Sequence, residues 1–129
     1  MDDNKNKFFN YKQNEQKTMK KIAVPVINGS LCTHFGHCQE FHLFDIEDGK
    51  ISNIEQKTPP PHAPGVIPKW ISEQAVTDVI VGGIGQRAID IFNAEGVNVY
   101  AGAPSNPSKT IIEDFINGSL TLNENLCDH

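Results

Sequence analysis

The stretch DVIVGGIGQRAIDIFNAEGVNVY, residues 78–100, decides the fold class. A short apolar run at 78–81 leads into a glycine-rich turn, and the segment 86–95 then carries apolar residues at helical spacing. Gly96 stands where helices commonly end in the left-handed conformation, and a second β-branched run follows at 97–100. Strand, helix and strand in this order predict a βαβ unit whose two strands run parallel.

Helical patterns flank this unit on both sides. Before it, apolar residues recur at helical spacing over 67–75, and Pro68 lies in the first turn, where proline is tolerated. After it, the residues Ser105-Asn106-Pro107 predict the start of a last helix, and Asn117-Gly118 predict its end. The second half of the chain therefore alternates strands with helices.

The first half of the chain predicts strands only. Residues 22–27 form an apolar run, 41–46 carries apolar residues on both alternating faces, and 51–55 follows the hairpin signal Asp48-Gly49. A proline-rich loop at 58–65 then leads into the first helix. The chain as a whole predicts an α/β fold of order β-β-β-α-β-α-β-α, with a five-stranded mixed sheet and helices on both faces.

Length and charge limit the class of function. The chain has 129 residues, enough for one domain with a single core, and its formal net charge is -5. An acidic chain without a basic stripe is not expected to bind nucleic acid. Because no apolar run approaches the roughly 18 residues of a membrane span, and no signal-like apolar core follows the N-terminus, we expect a cytoplasmic protein that does not contact the membrane.

Polar segments flank the predicted domain. Residues 1–18 are rich in Asn, Lys and Gln and have neither strand nor helix periodicity, so we predict a disordered N-terminal extension. The domain is expected to occupy residues 19–120. Residues 121–129 are expected to form a flexible C-terminal tail.

Cysteine and histidine cluster in one short segment. Residues 31–38 read LCTHFGHC and contain Cys32, His34, His37 and Cys38. The chain has 3 cysteines, an odd number that cannot pair completely, and thiols in a reducing compartment are more often free, catalytic or metal-bound than disulfide-bonded. The segment is consistent with metal ligands, with a cysteine nucleophile and its histidine base, or with a solvated loop.

Spacing alone leaves these alternatives open. The pattern C-x-H-x2-H-C is not the spacing of a structural zinc knuckle, and a thiolate-imidazolium pair lacks an adjacent orienting carboxylate, Glu40 being the nearest acid. His62 in the proline-rich loop is a further candidate ligand. Cys127 and His129 near the C-terminus are candidates too, or else ordinary tail residues. His42 lies inside a predicted strand and is expected to be structural.

Strand directions bring the candidates to one edge of the sheet. If the second strand is antiparallel to the first and the third, then loop 31–38, loop 58–65 and the GGIG turn at 82–85 all follow carboxyl ends of strands. Open α/β sheets bind their ligands at that edge. Glycines before a helix also let backbone N–H groups approach an anion, although a plain tight turn uses the same residues. The candidate cofactor-binding residues are Gly82, Gly83 and Gly85.

Five segments together carry a resemblance to a known family. They are KKIAVPV at 20–26, HFGHCQEFHLFDIEDGKI at 34–51, HAPG at 62–65, VTDVIVGGIGQRAIDIFNAEGVNVYAG at 76–102 and NGSL at 117–120. With these segments, nearly the whole domain resembles the nitrogenase iron-molybdenum cofactor biosynthesis family. That family includes small accessory proteins that carry the cofactor or its precursors, and the molybdenum-copper orange proteins.

The resemblance implies a fold and a role. The fold would be a ribonuclease H-like three-layer α/β fold, although the first strand, 22–27, has no carboxylate for a nuclease metal site. The role would be that of a non-catalytic carrier for an iron-sulfur or iron-molybdenum type cluster, with zinc or another single metal ion as the alternative cargo. The partners would be the cluster and the proteins that assemble or accept it.

The resemblance also implies ligand positions. His34, His62 and Cys127 match positions of family ligands, and Cys32, His37 and Cys38 complete the candidate pool. Where family members commonly have Arg after His-Phe-Gly, this chain has His37, which favours direct ligation over anion recognition by Arg. The runner-up function is a metal-independent interaction or regulatory module, with an exposed Trp70 or Phe35 as its anchor.

Overall fold

The protein is described by a computed structural model over residues 19–124. The predicted extension at 1–18 and the candidates Cys127 and His129 lie outside the described residues. Within 19–124 the elements are β1 Met19–Ile27, β2 Ser30–Leu31, β3 Glu40–Glu47, β4 Lys50–Lys57, α1 Val66–Ser72, β5 Asp78–Ile80, α2 Gln86–Ala94, β6 Asn98–Tyr100 and α3 Ser108–Asn117.

The sheet is mixed, as predicted. Its strands lie in the order β4-β3-β1-β5-β6, and β2 pairs with β1 beside this path. β3 is antiparallel to both β1 and β4, while β1, β5 and β6 run parallel. The predicted number of strands was wrong, because the sheet of the described chain has six strands and not five. The additional strand, β2, is two residues long and too short to produce a periodic pattern.

Left-handed turn residues produce the two hairpins. Asn28 and Gly29 have φ of 52° and 85° between β1 and β2, and Asp48 and Gly49 have φ of 51° and 79° between β3 and β4. Two consecutive residues with positive φ make a turn whose twist matches that of the flanking strands, and Asn, Asp and Gly adopt this conformation most readily. The hairpin predicted at Asp48-Gly49 is confirmed.

Pro25 does not interrupt β1, although proline lacks the N–H that a strand normally uses for pairing. It pairs with Phe41 of β3 in continuous register. On the opposite side its carbonyl accepts a hydrogen bond from the Cys32 N–H at 2.8 Å. Because the N and C=O of one residue point to the same side of a strand, the missing N–H faces away from β3, and the pairing of β1 with β3 is not affected.

Helices cover both faces of the sheet. Alternate residues of β1 point to opposite faces, so that Ala23 joins Ile71 of α1 and Phe92 of α2 in one apolar cluster. Ile22 joins Ile111 of α3 in the cluster on the other face. The three-layer arrangement is therefore confirmed, while the ribonuclease H-like label stays a prediction.

The carboxyl ends of β1, β4, β5 and β6 all lie at one edge of the sheet, because these strands share a direction. We call this the carboxyl edge. The proline-rich loop after β4 and the glycine turn after β5 therefore lie there, as predicted, and the loop between β2 and β3 joins them through the bridge of His34 with Gly83.

Candidate functional site

A cavity of about 340 Å³ opens at the carboxyl edge between these three loops. The residues that line it include three histidines and one arginine, namely His34, His37, His62 and Arg87. Of the residues that the structure describes, no Asp or Glu lines it. We call this space the imidazole cavity.

Backbone hydrogen bonds fix His34 at the cavity. The Gly83 N–H donates to the Thr33 carbonyl at 2.6 Å, and the Phe35 N–H donates to the Gly83 carbonyl at 2.9 Å. His34 lies between these two bonds, in a parallel bridge with Gly83. The loop is thus attached to the turn that leads into α2.

The buried side chain of Phe35 attaches the same loop to the core. Its ring is 7% exposed and packs edge-on against Phe41 and Phe92, with centroid distances of 5.8 Å and 5.7 Å. The expectation that Phe35 is an exposed anchor for a partner was therefore wrong. An aromatic residue beside two loop histidines serves here to bury the loop against the core.

Gly36 gives His62 its place in the cavity. A Cβ built on Gly36 would lie 2.9 Å from His62 Nε2, so the ring of a distant loop packs directly on this glycine. His34 and His37 stand on either side, with their ring centroids 5.9 Å apart. The structure thus brings together the three predicted histidine ligands.

The predicted cysteine ligands are separated from these histidines. Neither Cys32 nor Cys38 lines the imidazole cavity. Cys32 is 4% exposed, and its Sγ–H donates to the His34 carbonyl at 3.2 Å. Burial, and then the nearby Cys32 sulfur, raises the pKa of the Cys38 thiol to about 12. Because the thiolate is the nucleophilic form, a neutral Cys38 does not support the catalytic alternative.

No single-ion site is already assembled in the described part of the chain. Residues 19–124 contain no group of three or more His, Cys, Asp or Glu side chains placed to hold one metal ion. A single zinc ion needs all its ligands within roughly 2.0–2.3 Å of one point. A cluster takes ligands on separate atoms, which can be spaced around a cavity.

The glycine turn contributes to the wall. Gly83 and Gly85 line the imidazole cavity. Gly82 has a packing role instead, because a Cβ there would lie 2.9 Å from the Thr33 carbonyl oxygen. Gly85 is the N-cap of α2. Because glycine has no side chain, it offers no side-chain oxygen to accept a hydrogen bond from the N–H groups of the first turn.

Arg87 is the functional candidate that the sequence analysis missed. It lies in the first turn of α2 and lines the imidazole cavity. A Cβ built on Gly65, which has φ of 78°, would lie 3.7 Å from its Nε and Nη2 atoms. His37 stands where family members commonly have Arg, and Arg87 lies at the same cavity from another element; direct ligation by His37 stays a prediction. The place of Arg87 directly after the glycine turn was the available signal.

A C-terminal strap, residues 119–124, returns to the carboxyl edge. The Asn123 N–H donates to the Gly102 carbonyl at 2.7 Å. Asn123 and Glu124 then line a second cavity of about 250 Å³ together with His34. The structure therefore places the strap beside a predicted ligand, and the flexible tail stays a prediction for residues 125–129.

His42 is structural, as expected. It is 8% exposed in β3, its Nδ1 is 2.7 Å from Ser108 Oγ, and its Nε2 is 3.1 Å from Glu40 Oε2. These contacts join the edge of β3 to the start of α3.

No helix among the residues described is long and apolar enough to cross a membrane.

Together, the fold and the cavity define a small three-layer α/β domain with a histidine-lined cavity at the carboxyl edge of its sheet. Residues 19–118 match the family described as dinitrogenase iron-molybdenum cofactor, and the chain belongs to that family. The resemblance stated from the sequence segments is confirmed.

Similar proteins extend this result. The chain is 34% identical over 107 residues to MJ0580, an uncharacterized protein of Methanocaldococcus jannaschii, and the match covers 79% of this chain and 90% of that protein. The crystal structure of PH0822 superposes with a TM-score of 0.75 at 30% identity, covering 80% and 94% of the two chains. The apo form of the orange protein from Desulfovibrio gigas has a TM-score of 0.66 at 17% identity, covering 84% and 96%, and shares the fold.

Proposed function

We propose that this protein binds a metal cluster in the imidazole cavity and carries it during metallocofactor assembly. The observation that carries the proposal is the convergence of His34, His37 and His62, from two separate loops, on one cavity of a chain from a dinitrogenase cofactor family. The cargo is an iron-sulfur or iron-molybdenum type cluster. Its partners are the proteins that assemble or accept it, in the cytoplasm.

The donor set suits such a cargo. Imidazole is a good ligand for iron, and the three rings around Gly36 reach into the cavity from different directions. In a cluster several ångströms across, each of these imidazole nitrogens can bind a different metal atom. Exposed ligands on loops also permit release, which a carrier requires and a structural metal site does not.

Binding without catalysis fits the cavity better than an enzyme does. A cysteine nucleophile would have to reach the ligand, but no Cys from residues 19–124 lines the wall. Cys38 is held neutral, since its pKa is raised to about 12. The proposal includes Cys127 as a further ligand that closes over the bound cluster. The strap ends at Glu124, which lines the second cavity, and Cys127 follows three residues later.

Anaerobic reconstitution tests the proposal. The metal-free protein is incubated with iron and sulfide, desalted, and examined by metal analysis and visible absorption. We expect stoichiometric loading of the unmodified chain, with loading lost in a His34→Ala/His62→Ala variant. Asn93→Ala, on the exposed side of α2, is the matched control and should load normally. Absence of stoichiometric metal in the unmodified chain would end the proposal.

A metal-independent interaction module is the second candidate. The observation in its favour is a groove of about 700 Å³ beside the imidazole cavity, lined by Trp70, Pro60, Pro64 and Ile91. Trp70 is half-buried and packs edge-on against Phe41 at a centroid distance of 5.8 Å, so it is not the fully exposed anchor expected from the sequence. If this is the main function, the metal-free protein should capture a partner equally well with and without His34→Ala, and Trp70→Ala should abolish capture while the variant still unfolds cooperatively in urea. Loss of capture in His34→Ala alone would favour the carrier.

A further inference from the structure

The groove that contains Trp70 follows the outer side of α1 and α2, and we call it the Trp70 groove. Each helix contributes one stripe of side chains to it, recurring three or four positions apart. The stripes are Val66, Lys69, Trp70 and Glu73 along α1 and its C-cap, and Arg87, Ile91, Ala94 and Glu95 along α2 and its C-cap. A groove between two helices is a surface that accepts a peptide segment with apolar anchors.

Apolar side chains in the Trp70 groove are open to solvent in the part of the chain that the structure describes. Val66 is 38% exposed, and Trp70 and Ile91 are half-buried. The hydrophobic effect favours covering such a surface. The groove is therefore suited to an occupant that brings aromatic or apolar side chains.

The first strand begins close to one end of this groove. The Thr77 N–H, in the loop after α1, donates to the Lys21 carbonyl at 2.8 Å, and the Asn98 N–H, at the start of β6, donates to the Thr77 carbonyl at 3.1 Å. α1 and α2 therefore both end beside the amino end of β1. Glu73, at this end of the groove, is four residues before Thr77, which is at most about 14 Å of chain.

The segment that precedes β1 has the side chains that the groove needs. Residues 1–18 read MDDNKNKFFNYKQNEQKT, and apart from Met1 their apolar side chains are those of Phe8, Phe9 and Tyr11. Phe9 is ten residues before Met19, so the chain between them spans up to about 33 Å when extended. The aromatic residues can therefore reach the groove from the end at which α1 and α2 stop. A segment without strand or helix periodicity of its own can still order on a preformed surface.

Charge favours the same occupant. Residues 1–18 contain four Lys and three Asp or Glu, whereas the rest of the chain contains seven Lys or Arg and thirteen Asp or Glu. A cationic segment is attracted to an acidic domain. Lys12 directly follows Tyr11, and Glu73 is exposed and makes no ion pair among residues 19–124.

We propose that Phe8, Phe9 and Tyr11 dock in the Trp70 groove of their own chain, so that the protein covers this surface itself. A short tether favours the contact, because it gives the segment an effective concentration of about the millimolar range. The segment is then a competitor of any protein that binds the groove. This contact goes beyond the carriage of a cluster and does not depend on the three histidines of the imidazole cavity.

The fluorescence of a single tryptophan tests the proposal. The chain has 1 Trp, and Trp70 lines the groove, so its emission reports on the groove alone. Quenching by acrylamide is measured in the metal-free full chain and in two variants of it. The test variant replaces the three aromatic residues of the segment, Phe8→Ser/Phe9→Ser/Tyr11→Ser. The matched control replaces three polar residues of the same segment, Asn4→Ser/Asn6→Ser/Asn10→Ser.

The quenching constant of Trp70 should be at least about twofold higher in the aromatic variant than in the unmodified chain, because each docked ring covers about 150–250 Å². The asparagine variant should match the unmodified chain. Because the contact lies within one chain, these values should not change on dilution. Cooperative unfolding of all three chains in urea shows that the domain around Trp70 is intact.

A photoreactive benzophenone side chain introduced at Phe9 locates the segment directly. On irradiation it should form crosslinks within one chain to peptides of α1 or α2, which mass spectrometry identifies. Equal quenching in the three chains would overturn the proposal and leave the groove open to a partner protein. Protection that disappears on dilution, or crosslinks between two chains, would assign the groove to a second copy, and crosslinks outside α1 and α2 would also reject the proposal. Because neither experiment uses a metal, failure here leaves the carrier proposal standing.

Discussion

Replacing Gly36 by Ala should remove His62 from the imidazole cavity without harming the fold. The new Cβ would stand 2.9 Å from His62 Nε2, and ordinary contacts begin at 3.4 Å, so the ring must retreat by at least the difference, 0.5 Å. Metal-ligand bonds tolerate deviations of only about 0.2 Å. A retreat of this size therefore prevents His62 from binding an atom placed for the native ring.

The fold itself should tolerate the change. Gly36 has no left-handed φ, so Ala introduces no backbone strain, and His62 is an exposed loop side chain that can rotate outward. We expect the free energy of unfolding to change by no more than about 0.5 kcal/mol. The loss should appear in cluster affinity instead, and it should be as large as the loss in His62→Ala.

A double-mutant cycle gives the decisive measurement. Cluster affinity is measured for the unmodified chain, Gly36→Ala, His62→Ala and the double variant, with urea unfolding of each as the control. If Gly36 acts through His62, its substitution should have no further effect in the His62→Ala background. Additive losses, or a Gly36→Ala protein that is markedly less stable, would refute the reasoning.

Four further predictions concern other parts of the molecule. His42→Leu should lower the free energy of unfolding by about 1–3 kcal/mol in urea, since both ring nitrogens lose their hydrogen bonds, and should leave cluster affinity unchanged. Cys38 in the metal-free protein should react with iodoacetamide at least about a hundredfold more slowly at pH 8 than a free cysteine, because its pKa is raised to about 12. The folded state then holds this proton more tightly than the unfolded state, so stability should fall as the pH rises from 9.0 toward 12; a flat profile contradicts this. Asn123→Pro removes the N–H that donates to the Gly102 carbonyl. It should release iron to a chelator as fast as a chain truncated after Leu122 does, and faster than the unmodified chain. Equal release rates from the variant, the truncated chain and the unmodified chain would exclude the strap as a retention element.

The sequence predicted the features that depend on local pattern. The βαβ segment at 78–100 appears as β5, α2 and β6, and the hairpin at Asp48-Gly49 joins β3 to β4. Strand direction alone then placed loops 31–38 and 58–65 at one edge. These predictions succeeded because periodicity, turn chemistry and chain direction are local or additive properties.

The details of the site depend on contacts between distant segments. Cys32 and His34 are two positions apart, but the hydrogen bonds of the loop to Gly83 bury the thiol and leave the imidazole exposed. Arg87 looks in the sequence like an ordinary charged residue at the start of a helix. It lies beside Gly65 of the proline-rich loop, a neighbour about twenty residues earlier in the sequence that no local pattern reveals.

The bridge between His34 and Gly83 has a mechanical consequence. Two backbone hydrogen bonds fasten the histidine loop to the turn that begins α2, so His34 cannot move on loading unless that turn moves with it. α2 in turn forms one wall of the groove that contains Trp70. A movement of the His34 backbone would therefore be transmitted through α2 to the wall of that groove.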